Sequence, residues 1–158
     1  MYMRSKFRVL RCPLSALLCG MFALCASGCS DDETVVSASL REFEVDLSRT
    51  SVPEGSVTFE VMNDGTEEHE FLVIRTDLAE DALPTEEDGS YLENGPGTVL
   101  VDEIEEIQPG EAAELTLDLD AGTYVIICNR VEVEADGETE AHYALGMHTS
   151  LLVTTDED

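Results

Sequence analysis

The chain has 158 residues, with 35 acidic against eight basic ones, three His and five Cys. The length is that of one domain plus extensions. A formal net charge of −27 excludes nucleic acid as a partner, because phosphate contacts need clustered Lys and Arg. In chain order, the first segment is unlike the rest. Arg4, Lys6, Arg8 and Arg11 give a basic start, an apolar run follows from Leu14 to Ala26, and Ala26-Ser27-Gly28-Cys29 precedes the first acids, Asp31, Asp32 and Glu33. A basic region, a short apolar core and a small-residue cleavage site describe an export signal over residues 1–28. The run is shorter than the ~20 apolar residues that span a bilayer. Residues 29–36 read as an acidic tether and residues 37–158 as the folded domain.

Ala-Ser-Gly-Cys resembles the lipobox of bacterial lipoproteins, although Ala26 stands where that motif prefers Leu. The resemblance implies acylation of Cys29 and a chain tethered to a membrane without spanning it. Without the signal, Arg41, Arg49, Arg75 and Arg130 stand against 35 acids, a net charge of −31 over the 130 residues from Cys29 onward. Such a surface repels itself and stays dispersed. It suits attraction of a basic partner or adaptation to high salt, where ions screen the repulsion. The even spread of acid and the absence of Lys favour the second. Cys12, Cys19 and Cys25 belong to the signal, so Cys128 is the single thiol of the folded body. It has no partner for an internal disulfide and must be buried, paired between chains, reactive or metal-bound.

The rest of the chain alternates apolar with polar residues at the period of half-buried strands. Leu40, Phe43, Val45 and Leu47 predict a first strand, irregular near Arg41-Glu42. Pro53-Glu54-Gly55 turns the chain, Val57, Phe59 and Val61 form a second strand, and Asn63-Asp64-Gly65 turns it again. Phe71-Leu72-Val73-Ile74 reads as a core strand. Residues 78–97, polar and rich in Gly, Pro and acid, predict a long surface connection with one helical turn near Leu78–Leu83. Strands follow at Thr98–Ile107, Leu115–Leu119, Tyr124–Ile127 and Ser150–Thr154, with turns at Pro109-Gly110 and Ala121-Gly122. Seven to eight short strands and no helical stripe predict an all-β Greek-key sandwich or barrel.

The scarce soft ligands sit at strand ends. His69 opens the core strand, Cys128 closes the strand after Tyr124–Ile127, and His142, Met147 and His148 precede the last strand. Two imidazoles, a thiolate and a weak thioether are the donor set of a blue-copper electron-transfer site. Around these residues the sequence resembles the cupredoxin family, the plastocyanin-like small blue copper proteins, over about residues 37–155. The segment Asn63–Phe71 is similar to the one bearing the family's first His ligand. Tyr124-Val-Ile-Ile-Cys128-Asn129 is similar to the Cys-bearing strand, and His142-Tyr-Ala-Leu-Gly-Met147 has the His-x4-Met spacing. The resemblance implies one copper ion with His69, Cys128 and His142 as equatorial ligands and Met147 as the axial one. Two features depart from the family. Thirteen residues separate Cys128 from His142, where the family has only a few, and Glu70 follows the first His, where the family often has Asn. An Asp136-Gly137 hairpin is the expected way for the insert to return.

The leading expectation is therefore an exported, lipid-anchored, monomeric one-electron carrier. It would exchange electrons with a cytochrome or terminal oxidase through an exposed edge of His142, with Tyr143–Gly146 as a small apolar docking patch. The rivals are a copper storage or delivery protein, with a role for His148, and a metal-free sandwich for adhesion or assembly. An enzyme is least expected, since no His-x-His pair for a multicopper cluster and no phosphate-binding Gly loop occur.

Overall fold

The computed structural model describes residues 34–133 and 137–155. The expected signal, Cys29 and the tether up to Glu33 lie outside the described residues. Among the described residues eleven strands run in the order β1 (Thr34–Arg41), β2 (Glu44–Leu47), β3 (Ser51–Pro53), β4 (Gly55–Asn63), β5 (His69–Thr76), β6 (Thr98–Ile107), β7 (Ala112–Leu119), β8 (Gly122–Ile127), β9 (Val131–Val133), β10 (Thr139–Ala141) and β11 (His148–Thr154). One sheet has the order β2-β1-β4-β7, a second has β3-β11-β8-β5-β6, and β9 and β10 form a separate hairpin. The pairs β1–β4 and β3–β11 are parallel, and the others are antiparallel.

Alternation builds the core directly, because successive strand side chains point to opposite faces. Val36, Ala38 and Leu40 of β1 and Val57, Phe59 and Val61 of β4 face Phe71 and Val73 of β5, Tyr124 and Ile126 of β8, and Leu151 and Val153 of β11. Phe59 and Phe71 meet across the sheets with ring centroids 5.3 Å apart. Cys128 and Met147 belong to this same cluster and close it at one end.

Several sequence expectations are revised. Residues 34–36 are not tether but the start of β1, paired to Val57–Phe59. The expected first strand is two: the chain reverses at Glu42-Phe43, and Arg41 pairs with Glu44 and Leu40 with Val45. Leu40, Val45 and Leu47 alternate whether the chain runs straight or folds back, so periodicity alone does not reveal the reversal. With the short β3, β9 and β10, this split accounts for eleven strands in place of seven or eight. Where one helical turn was expected, the segment 78–97 closes a hydrogen-bonded turn from Ala82 N–H to Ala79 O, and further turns close from Gly89 N–H to Glu86 O and from Gly95 N–H to Leu92 O. It is no mere surface connection. Leu83 and Tyr91 are buried against Leu72, Ile74, Val125, Ile127 and Tyr143 in a second cluster on the outer face of the β5–β8 sheet. Phe71–Ile74 is continuously apolar because both faces of β5 are covered.

Candidate metal centre

The register of β5 against β8 pairs Leu72 with Ile127, so the start of one strand lies beside the end of the other. His69 and Cys128 therefore share a pole. The loop before His69 is folded by Asn63, whose buried side chain donates to Glu67 O (2.7 Å) and Ile107 O (2.8 Å) while its Oδ1 accepts from Gly65 N–H (2.9 Å). Glu70 N–H donates to Cys128 Sγ at 3.2 Å.

The insert after Cys128 returns as a hairpin. Val131–Val133 pair with Thr139–Ala141, and His142 N–H donates to Arg130 O at 2.9 Å, two residues past the cysteine. Val133 pairs with Thr139; the turn expected at Asp136-Gly137 falls partly on residues 134–136, which lie outside the described residues. Beyond His142 the chain winds tightly. Met147 N–H donates to His142 O (3.0 Å), and Cys128 N–H donates to Met147 O (3.1 Å), which ties all three residues by backbone. Gly146 has φ +110°, a conformation side chains disfavour.

These constraints bring three donors together. His69 Nδ1 and His142 Nδ1 are 3.2 Å apart, and Cys128 Sγ lies 3.7 Å from the first and 3.4 Å from the second. All three residues are fully buried, and so is Met147. Burial pushes the Cys128 thiol up to about 12, against the opposing amides of Glu70 and Arg130. Burial and the neighbouring His69 lower His142 to about 4; burial likewise lowers His69, opposed by Glu42. The site therefore holds two neutral rings and a thiol at neutral pH. His69 Nε2 lies 3.4 Å from Glu42 Oε1, and His142 Nε2 lies 3.5 Å from Glu67 Oε2. A carboxylate thus stands behind each Nε2, and the two Nδ1 atoms face one another beside sulfur. Bonds of about 2.0–2.1 Å to nitrogen and 2.3 Å to sulfur space donors roughly 3.3–3.8 Å apart, close to the triangle seen here. The donor set fits one soft or borderline transition-metal ion.

No protein-family model matches the sequence, and no curated protein does. Among solved structures, the chain is similar to a dithionite-reduced auracyanin from Roseiflexus castenholzii (TM-score 0.52, 21% identity, covering 77% of this chain and 96% of that one). It is also similar to auracyanin A, a "blue" copper protein of Chloroflexus aurantiacus (TM-score 0.51, 21% identity, 77% and 99% covered), and to rusticyanin from Thiobacillus ferrooxidans (TM-score 0.50, 19% identity, 79% of each covered). The chain has the cupredoxin fold.

Within this cupredoxin-fold domain, two expectations about the pole change. His142 has no exposed edge, because the Phe43 ring packs edge-on against it at 5.1 Å between centroids. Tyr143 is not on a docking patch; its hydroxyl accepts from Leu83 N–H (2.9 Å) and donates to Glu80 O (3.0 Å), inside the second cluster. Leu145 does remain exposed. His148 stands apart from the triangle, 3.8 Å from Glu80 and against the Tyr143 ring. Four residues of the site were missed from sequence: Glu42, Phe43, Asn63 and Glu67. The irregularity at Arg41-Glu42 was the one available signal for the first two. Glu70 acts through its backbone, and the neighbouring Arg130 bridges to Glu68 at 2.7 Å, linking the His69 loop to the Cys128 loop.

Proposed function

We propose that this domain holds one copper ion between His69, Cys128, His142 and Met147 and works outside the cytoplasm as a one-electron carrier. The observation that carries the reading is the buried triangle of His69 Nδ1, His142 Nδ1 and Cys128 Sγ, with sides of 3.2–3.7 Å. Bound copper supplies a one-electron couple both of whose states accept imidazole and thiolate. The protein's part is to hold the donors still. Backbone hydrogen bonds from Met147 to His142 and from Cys128 to Met147 fix the loop against the strand, and the Glu70 amide supports the thiolate once its proton has left. All four residues are fully buried, which keeps water and substrates away and suits a carrier better than an enzyme. Electrons reach a partner through Phe43 or along the Cys128 strand, not through an open histidine edge.

The partner class is a cytochrome or terminal oxidase, met by a monomer anchored through an acylated Cys29; the signal-like start and the lipobox-like Ala26–Cys29 support the anchor. A copper storage role would draw on His148 as a further donor, and its ring is turned to Glu80 instead. The test is a visible and electron-spin-resonance spectrum after one equivalent of Cu(II). The intense thiolate-to-copper absorption is expected in the wild-type chain and absent in Cys128→Ser. A wild-type chain that binds copper without colour rules out the carrier, and one that binds no stoichiometric copper points to a metal-free interaction domain.

A further inference from the structure

The two buried imidazoles turn their Nδ1 edges inward and their Nε2 edges to carboxylates. For His69 that carboxylate comes from the tip of the β1–β2 hairpin, a different part of the chain from every donor. Glu42 Oε1 is pinned there by Thr66 N–H (2.6 Å) and Glu67 N–H (2.8 Å) and stands 3.4 Å from His69 Nε2. His69 Nε2 is buried without a hydrogen-bond partner, and the Glu42 carboxylate is the charged group that faces it. Residue 65 is glycine where a Cβ would run into the Glu42 carboxylate and stand 2.9 Å from His69 Nε2, so the loop leaves room for this approach. A carboxylate behind a metal-binding imidazole fixes its tautomer and raises its basicity. A fixed negative charge also attracts the more highly charged state of a metal more strongly.

We propose that Glu42 is a positioning residue for His69: it holds the ring as the Nε2–H tautomer with Nδ1 facing the site, and it biases the bound metal toward its higher oxidation state. The second half rests on the copper reading above; the first does not. The test uses the full chain with Glu42→Ala, Glu42→Gln and, as a control, Glu44→Gln, which removes the same charge from an exposed position in β2. Nitrogen NMR of the metal-free protein is expected to show His69 as Nε2–H in the wild type. Glu42→Ala should raise the Nδ1–H population at least tenfold, and Glu42→Gln, which keeps an acceptor oxygen and the contacts to Thr66 and Glu67, should restore the wild-type tautomer. An unchanged tautomer in Glu42→Ala, or in Glu42→Leu if the alanine variant does not fold, overturns the positioning role. In the copper-loaded chain, Glu42→Gln should favour the reduced state at least tenfold, a rise of 59 mV for a one-electron couple, with a smaller change in Glu44→Gln. Equal shifts in the two variants overturn the tuning role. A chain that takes up no copper overturns the copper reading, and the tautomer measurement still decides the role of Glu42.

Discussion

His69 and His142 place their Nδ1 atoms 3.2 Å apart, yet they arrive by different means. His69 is the first residue of a core strand, and its place follows from sheet register and from Asn63, whose side chain satisfies three backbone groups of the loop and of β6. His142 lies outside any strand, after a long insert, and is located by single backbone hydrogen bonds to Arg130 and from Met147. One ligand is held by a sheet and a keystone side chain, the other by a wound loop closed over a hairpin. The first arrangement fails cooperatively with the fold; the second tolerates changes in the insert as long as the closing hydrogen bonds survive.

Four experiments separate these modes, from largest effect to smallest. Asn63→Ala leaves the buried Ile107 carbonyl and the half-buried Glu67 carbonyl without this donor, at about 1–3 kcal/mol for each such group, so a loss on the order of 3 kcal/mol is expected in urea unfolding. A loss below about 1 kcal/mol would mean that the sheet alone holds His69. The second concerns pH. In the metal-free chain His142 titrates near 4, against 6.5 for an ordinary imidazole. Its folded form resists protonation, so the stability it contributes is present above pH 6.5 and is lost as pH falls toward 4. At 1.36 kcal/mol per unit, the wild type should lose about 2–3 kcal/mol more than His142→Gln between pH 7 and 4.5. Equal losses would show that the loop opens without cost. Third, Tyr143→Phe removes a hydroxyl that bridges Leu83 and Glu80. About 1–2 kcal/mol should be lost, with faster proteolysis within residues 78–97 and little effect at His69. Last, replacing residues 132–140 with Gly-Gly should change stability by less than about 1 kcal/mol, since closure entropy varies slowly with loop length. Copper colour should persist. Its disappearance would show that the hairpin positions His142 and does more than return the chain.

The same contrast separates what was legible from what was not. Strict alternation marked β4 and β7, and the apolar runs of β5 and β8 were visible as strands. The burial of Leu83 and Tyr91 was not, because the segment 78–97 around them is polar. The β1–β2 reversal escaped for a different reason: its apolar positions keep the same period on both sides of Glu42-Phe43. The enclosure of His142 followed from that miss, since Phe43 covers it.

The amino-acid sequence by itself determined the kinds of donor available, their places at strand ends and the all-β architecture, because ligand chemistry and strand period are local properties. The tertiary structure alone decided that two imidazole nitrogens and a sulfur converge, that the hairpin returns His142 beside Arg130, and that Glu42 and Glu67 stand behind the imidazoles. Those contacts join segments far apart in the chain. Sheet register and loop hydrogen bonds set them, and no local pattern encodes either.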